Sequence, residues 1–224
     1  MPGPNPIRSN IQEQIYEILK EDIVNGKLEP GKQMKELELV DRFQVSRSPI
    51  REALRRLCGD GLLVIKPNCG IYVNVFTPKY INDLLEMRSL LESHGMEQLI
   101  GIKLDEETRQ ELVSLRQRMQ DALDHGASLQ EHMDLDMLLH QLIVSFNHNE
   151  FMAEVAQKIS LISKTMQRIS LSSGNRAEES QLEHLEIIDH LLAGQVQKAI
   201  KCNQVHLFHT QVRVEEEMSR SLSK

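Results

Sequence analysis

Apolar residues recur at helical spacing along most of the chain, and the pattern breaks clearly only around residues 62–76. Over residues 9–25 the repeat runs through Ile11, Ile15, Ile18, Leu19 and Ile23, and Asn25-Gly26 supplies a helix C-cap. Leu28-Glu29-Pro30-Gly31 reads as a turn. A short second helix over about 35–43 puts Leu37, Val40 and Phe43 on one face. Gln44-Val45-Ser46 leaves room only for a tight turn. The third helix opens at Ser46, whose hydroxyl suits an N-cap because it can accept a free first-turn N–H. Pro49 falls in the first turn, where a missing N–H costs little. Ile50, Ala53, Leu54 and Leu57 form the apolar face of this helix, and Arg47, Ser48, Arg51 and Arg55 occupy the rest. Two helices joined by so short a turn make a helix-turn-helix. Gly59-Asp60-Gly61 ends the third helix. Leu62–Lys66 and Ile71–Phe76 then read as strands joined by Pro67-Asn68-Cys69-Gly70, a hairpin or wing.

From Thr77 onward the spacing is helical almost throughout. Helices are expected over about 77–100, 105–125, 128–146, 150–171, 177–193 and 195–219. They are separated by Gly101, Gly126, Asn147-His148-Asn149, Ser172-Ser173-Gly174-Asn175 and Gly194. The fold class is therefore mainly α, a winged helix-turn-helix over residues 1–76 followed by an all-α helical bundle over 77–224.

Composition changes this picture in two places. The net charge of −7 argues against a nucleic-acid partner until the chain is divided. Residues 1–75 hold 11 Lys and Arg against 10 Asp and Glu, whereas residues 76–224 hold 15 against 23, together with all nine histidines. The acidic half is expected to face away from phosphates. Three cysteines (Cys58, Cys69 and Cys202) form no CxxC and leave one unpaired in any disulfide scheme, which suits reduced thiols in the cytoplasm. No apolar run approaches the ~18–20 residues that span a bilayer. The start, Met1-Pro2-Gly3-Pro4-Asn5-Pro6, lacks the charged-then-apolar order of a signal peptide. A cytoplasmic protein with no membrane partner is expected.

The candidate chemistry differs between the halves. In a helix-turn-helix the third helix enters the major groove with its N-terminal residues nearest the bases. Arg47 and Arg51, one turn apart there, can grip guanine O6/N7 or pair with phosphate, and Ser46 and Ser48 can add phosphate contacts. In the second half, polar residues sit on apolar stripes. Arg88 lies among Ile81, Leu84, Leu85 and Leu91. Asp136 and His140 share a face with Leu129, Met133 and Ile143, and His132 precedes Asp136 by one turn. His184 aligns with Ile188 and Leu191, and His206 with Val196, Ala199 and Asn203. Unpaired buried charge costs several kcal/mol, so such residues need a partner. An Asp and a His one turn apart can share a metal ion; equally, each His can be a core residue bonded to a carbonyl and the pair a simple hydrogen bond. Spacing leaves both readings open. His94, His125, His148, His190 and His209 read as surface or packing residues.

The segment Val45-Ser46-Arg47-Ser48-Pro49-Ile50-Arg51-Glu52-Ala53-Leu54-Arg55-Arg56-Leu57, followed by Asp60-Gly61-Leu62, resembles the recognition-helix signature of the GntR family of bacterial regulators. Ile23–Gly31 is similar to the segment before that family's second helix. The second half resembles the effector domain of FadR-type members: Asp136-Met137-Leu138-Leu139-His140 is similar to their D-x-x-x-H motif, with Leu139 where Phe is common, and Glu183-His184 and His206-Leu207 to their later histidine motifs. The resemblance implies a ligand-responsive regulator, a repressor, binding palindromic double-stranded operator DNA as a homodimer. Arg47 and Arg51 would read DNA, with the wing near Gly70 on the minor groove or backbone. Glu38 stands where some members carry an Arg, so that contact is not carried over. The implied ligands of a divalent transition metal (zinc, nickel, manganese or iron) are Asp136, His140, His184 and His206, with all four positions filled, unlike the metal-free acyl-CoA-binding variant. Arg88 would face the carboxylate of a small organic acid, and Asn149 would serve a helix start. The competing expectations are a metal-dependent enzyme, against which the chain has no HExxH, and a regulator with a purely structural metal and a protein partner.

Overall fold

The computed structural model describes residues 6–171 and 175–222. The chain forms two compact units, Met1–Phe76 and Thr77–Lys224. The start Met1–Asn5 and the Ser172-Ser173-Gly174 part of the expected break lie outside the described residues.

The first unit contains α1 (Pro6–Val24), α2 (Glu36–Phe43), α3 (Arg47–Gly59), β1 (Leu63–Lys66) and β2 (Gly70–Val73). Leu19 of α1 and Ile50, Ala53, Leu54 and Leu57 of α3 are fully buried against one another, and Tyr16 Oη donates to Asp60 at 2.7 Å to tie α1 to the end of α3. On α2 the inward face differs from the expected one. Leu39 is buried, whereas Leu37 is 64% exposed. The helix is only 8 residues long, so α3 contacts a narrow strip of it, and that strip falls on Leu39. Gln44 closes α2 in the left-handed region (φ 52°), and its side-chain amide donates to Asp41 O.

Ser46 occupies the N-cap of α3 with extended backbone, but its hydroxyl makes no capping bond. The reason lies three residues on: Pro49 has no N–H to offer at the position a capping oxygen usually engages. The hydroxyl is left at the exposed mouth of the helix.

The strands are shorter than the expected 62–66 and 71–76. Leu62 N–H closes the end of α3 on Leu57 O, so pairing starts at Leu63. After Val73 the assigned strand ends, and Asn74 closes the hairpin with its backbone N–H donating to Leu62 O and its side-chain amide to Gly61 O. The hairpin pairs Leu63 with Val73 and Lys66 with Gly70. A feature absent from the sequence reading is a third edge. Gly31 N–H donates to Val73 O, Val73 N–H to Lys32 O, and Met34 N–H to Ile71 O. The segment between α1 and α2 thus buttresses the wing. At its tip Gly70 has φ +113°, and an added Cβ would also press on Gln33 Nε2 at 3.2 Å.

The second unit contains α4 (Pro78–Glu97), α5 (Glu106–His125), α6 (Leu129–Ser145), α7 (Glu150–Leu171), α8 (Arg176–Leu192) and α9 (Val196–Leu222). Thr77, Asp105, Ser128 and Asn149 each accept an N–H of the first turn that follows. Its apolar core gathers Met96, Leu112, Met119, Leu139, Ile143, Ile188, Leu191 and Ala199 from five helices. Each such side chain contributes roughly 1.5–3 kcal/mol by leaving water. Gly95 sets the approach of α4 to α6: a Cβ there would lie 2.2 Å from Ile143 O. That closeness brings the polar stripe of α4 onto that of α6.

Candidate metal centre and nucleic-acid interface

Three helices deliver the four candidate ligands to one buried point. Asp136 and His140, one turn apart on α6, meet His184 of α8 and His206 of α9. One ligand atom from each lies within 4.8 Å of all the others. His184 Nε2 is 3.3 Å from Asp136 Oδ1 and 3.2 Å from His206 Nε2, and His140 Nε2 is 3.7 Å from Asp136 Oδ2. All four residues are at most 5% exposed.

Carboxylates behind the rings decide which nitrogen faces inward. His140 Nδ1 donates to Glu92 Oε2 at 2.9 Å, and His206 Nδ1 to Glu183 Oε2 at 2.7 Å. Each bond holds the proton on Nδ1 and turns the Nε2 lone pair toward Asp136. Glu92 is itself held by Arg88 Nε at 2.7 Å and Asn203 Nδ2 at 2.8 Å. Glu183 is held by both terminal nitrogens of Arg176 and by His209 Nδ1 at 2.7 Å. Burial pushes the Glu92 carboxyl up, but His140 and Arg88 outweigh it and hold it at about 2. Burial likewise drives the His184 and His206 imidazoles down, toward the neutral form that binds metal.

The residues fit a cation. His140 Nε2 is buried with no hydrogen-bond partner among the described residues, and two imidazole Nε2 atoms sit 3.2 Å apart. A buried acceptor left unsatisfied costs ~1–3 kcal/mol, and an ion at the centre would satisfy all of these atoms together. Three imidazoles and a carboxylate suit zinc, nickel, manganese or iron.

Some residues fall elsewhere. His132 is buried but turns to Gln181 of α8, its Nδ1 3.3 Å from Oε1, outside the four. Arg88 reaches the centre, but its charge is already met: besides Glu92, its Nη2 lies 3.6 Å from Asp136 Oδ2. A cavity of about 30 Å³ beside it is lined by Leu91, Glu92, His140, Gln141, Val144 and Ile159. Sequence reasoning assigned no role to Glu92 or to Gln167 (which donates to Asp136), noted Glu183 only as the neighbour of His184, and read His209, which donates to Glu183, as a surface or packing residue. A carboxylate one turn from an inward Arg, at i+4, was the available signal for Glu92; nothing local marks Gln167.

In the first unit Arg47 and Arg51 stand exposed at the N-terminal end of α3, beside Ser46 and Ser48. The helix dipole makes this end attractive to anions. Arg51 Nε is held by both oxygens of Glu36 on α2, at 2.9 and 3.0 Å, which raises its already high pKa. No ion pair holds Arg47 among the described residues. Glu38 pairs locally with Lys35 at 2.9 Å.

A winged helix-turn-helix with arginines at the mouth of its third helix, joined to a helical domain with an inward ligand cluster, is the architecture of a DNA-binding transcriptional regulator. Residues 11–73 match the family described as bacterial regulatory proteins, gntR family, and residues 83–209 match the FCD domain. An uncharacterized HTH-type transcriptional regulator, YdhC of Bacillus subtilis (strain 168), is 31% identical over 181 residues, covering 80% of this chain and 79% of its own. The HTH-type transcriptional repressor RspR of Escherichia coli (strain K12) is 26% identical over 181 residues, 81% of this chain and 78% of its own. The crystal structure of a putative transcriptional regulator GntR from Rhodococcus sp. RHA1 superposes with a TM-score of 0.78 at 20% identity, over 92% of this chain and 97% of that one. The chain belongs to the GntR family and carries an FCD domain behind its winged helix. It is a transcriptional regulator, not an enzyme, which removes the metalloenzyme alternative. No described helix is long and apolar enough to cross a membrane.

Proposed function

We propose that this regulator is a repressor that binds a palindromic operator as a homodimer, acts in the cytoplasm where the chromosome lies, and responds to a small organic acid. The sensing element is a divalent transition metal held by Asp136, His140, His184 and His206. The observation that carries this reading is the convergence of those four ligand atoms within 4.8 Å, with two of the imidazoles locked by carboxylates from behind.

When bound, the metal supplies positive charge and open coordination positions for an acid's oxygens. This chain's residues do the rest. Glu92 and Glu183 keep His140 and His206 in one tautomer. Arg88 stands beside the centre to meet a carboxylate through a forked pair, which requires it to loosen its hold on Glu92. The adjoining cavity of about 30 Å³ has room for about two waters, so an acid enters only as the helices around it part. Operator-bound and free forms that differ in this opening bind the acid differently, and that difference is the coupling, typically ~1–3 kcal/mol.

Arg47, Arg51, Ser46 and Ser48 make the major-groove and phosphate contacts, and the wing at Gly70 touches the minor groove or backbone. Dimerisation follows the two-fold logic of a palindrome. It is supported by apolar side chains spaced along two helix faces: Met87 and Leu90 on α4, and Val205, Phe208 and Val212 on α9. The name of the E. coli relative, a repressor, supports the sign.

The decisive experiment is a gel shift on the promoter of the operon beside the gene, with and without chelator and a panel of hydroxy and keto acids. Release of a sequence-specific complex by an acid, only in metal-loaded protein, is expected. No specific shift under any condition sinks the reading. A second reading, a structural metal with a protein partner as the signal, is favoured by the small cavity and the committed Arg88. Stoichiometric metal with no acid that binds would select it.

A further inference from the structure

Outside the buried centre, α8 and α9 bring a second set of ligating side chains together. Glu186 and His190 are one turn apart on α8, and Cys202 faces them from α9. One ligand atom from each lies within 4.8 Å of the other two. His190 Nε2 is 3.8 Å from Glu186 Oε1, and the Cys202 thiol, whose pKa is raised first by burial and then by the Glu186 charge, completes the group. His190 and Cys202 are half-buried and Glu186 is exposed, so the cluster opens to solvent. His94, His125 and His148 lie in no such three-ligand group among the described residues.

The orientation of His190 separates this cluster from an ordinary helix-surface pair. Its Nδ1 is 2.9 Å from Gln195 Oε1, which is an acceptor only, so Nδ1 carries the proton. The Nε2 lone pair is thereby turned toward Glu186 and Cys202. Gln195 is in turn anchored, its N–H donating to the backbone oxygen of His190 at 2.8 Å across the Gly194 turn. An imidazole whose far nitrogen is held by a fixed acceptor, with its near nitrogen facing a carboxylate and a thiol, has the arrangement of a metal-binding histidine.

We propose that Glu186, His190 and Cys202 form a second metal site, separate from the buried centre, that takes a thiophilic divalent ion of the zinc class. A thiol, an imidazole and a carboxylate match zinc's ligand preferences, and three protein ligands leave the fourth tetrahedral position to water. Hard cations such as magnesium and calcium, which take oxygen ligands, are selected against. On binding, the Cys202 S–H bond breaks, its proton passes to the buffer, and the sulfur electron pair forms the bond to the ion. No electron changes hands. The ion joins α8 to α9, the two helices that carry His184 and His206, and so braces the hairpin behind the buried centre.

The test uses cobalt(II) on the full chain, stripped of metal and reduced. The buried centre offers no sulfur, so thiolate-to-cobalt charge-transfer absorption in the near ultraviolet reports the outer site alone. We expect this band in the native sequence, its displacement by zinc but not by magnesium, and its loss in Cys202→Ser. In His190→Ala the cobalt affinity of the band should fall at least about tenfold. Both substitutions are at the surface of the hairpin and should leave the helical circular dichroism and the remaining cobalt binding intact. A band that persists in Cys202→Ser, which would come from Cys58 or Cys69, overturns the proposal. So does the absence of a band at saturating cobalt, or a band unaffected by His190→Ala.

Discussion

At the scale of single residues, the carboxylates behind the histidines matter as much as the histidines. Glu92 accepts from His140, Arg88 and Asn203, and Glu183 from His206, His209 and Arg176. Changing Glu92 to Gln should keep the fold and lower metal affinity by about 10–100-fold, measured by competition with a chromophoric chelator, because His140 loses its fixed tautomer. His132→Ala, one turn away but turned to Gln181, should leave that affinity within about twofold; a loss as large as that of His184→Ala would show that the ligand set is misassigned. On α3, Arg47→Ala should cost about 1–3 kcal/mol of operator affinity and relax specificity at one base position. In the proposed complex Glu36 would compete with DNA for Arg51, so Glu36→Gln should tighten binding, and titration on labelled operator would detect it. These roles were only partly legible beforehand. Charged and imidazole residues on apolar stripes drew attention to Arg88, Asp136, His140, His184 and His206. Gln167 and Glu183 gave no such signal, since each meets its histidine or aspartate partner on another helix, Asp136 on α6 for Gln167 and His206 on α9 for Glu183.

Among the elements, α4 and α6 carry the argument through Gly95. The helix pattern shows a glycine near the end of α4 but not what it lies against. In the bundle its missing side chain admits the α6 backbone at Ile143. Gly95→Ala should therefore cost about 1–3 kcal/mol, read from denaturant unfolding, and weaken metal binding because Glu92 is drawn from His140. An unchanged midpoint would mean that the two helices slide apart freely. The wing gives the complementary lesson. Its hairpin was readable from Pro67-Asn68-Cys69-Gly70, but the Gly31–Met34 edge was not, because four residues without alternation carry no strand signal. The N-cap at Ser46 was correct in place and wrong in chemistry, because Pro49 withholds the N–H.

For the whole molecule, metal and self-association are linked to stability by mass action. A metal held as proposed by Asp136, His140, His184 and His206 would bind the folded arrangement of three helices and not the unfolded chain, so excess metal should raise the melting temperature and a chelator should lower it. About 3 kcal/mol separates the two at a hundredfold excess over Kd. Phe208 is 58% exposed on α9. If the α4–α9 face is the dimer contact, Phe208→Glu should give a monomer in sedimentation and lose operator affinity, with metal content unchanged. A variant that remains dimeric would move the contact elsewhere.

What the sequence determined by itself was local and periodic. Helical spacing, the turn at Gln44–Ser46 and the hairpin residues are properties of neighbours along the chain, and they led to a winged helix-turn-helix before an all-helical bundle. Family motifs then named the four candidate ligands. What only the tertiary structure decided was proximity between distant segments: which nitrogen of each histidine faces inward, that Arg88 is already paired with Glu92, that His132 stands aside, and that Glu186, His190 and Cys202 meet across a hairpin. The physical reason is that a lone pair's direction and a charge's partner depend on atoms a few ångströms away in space, which periodicity along the chain does not encode.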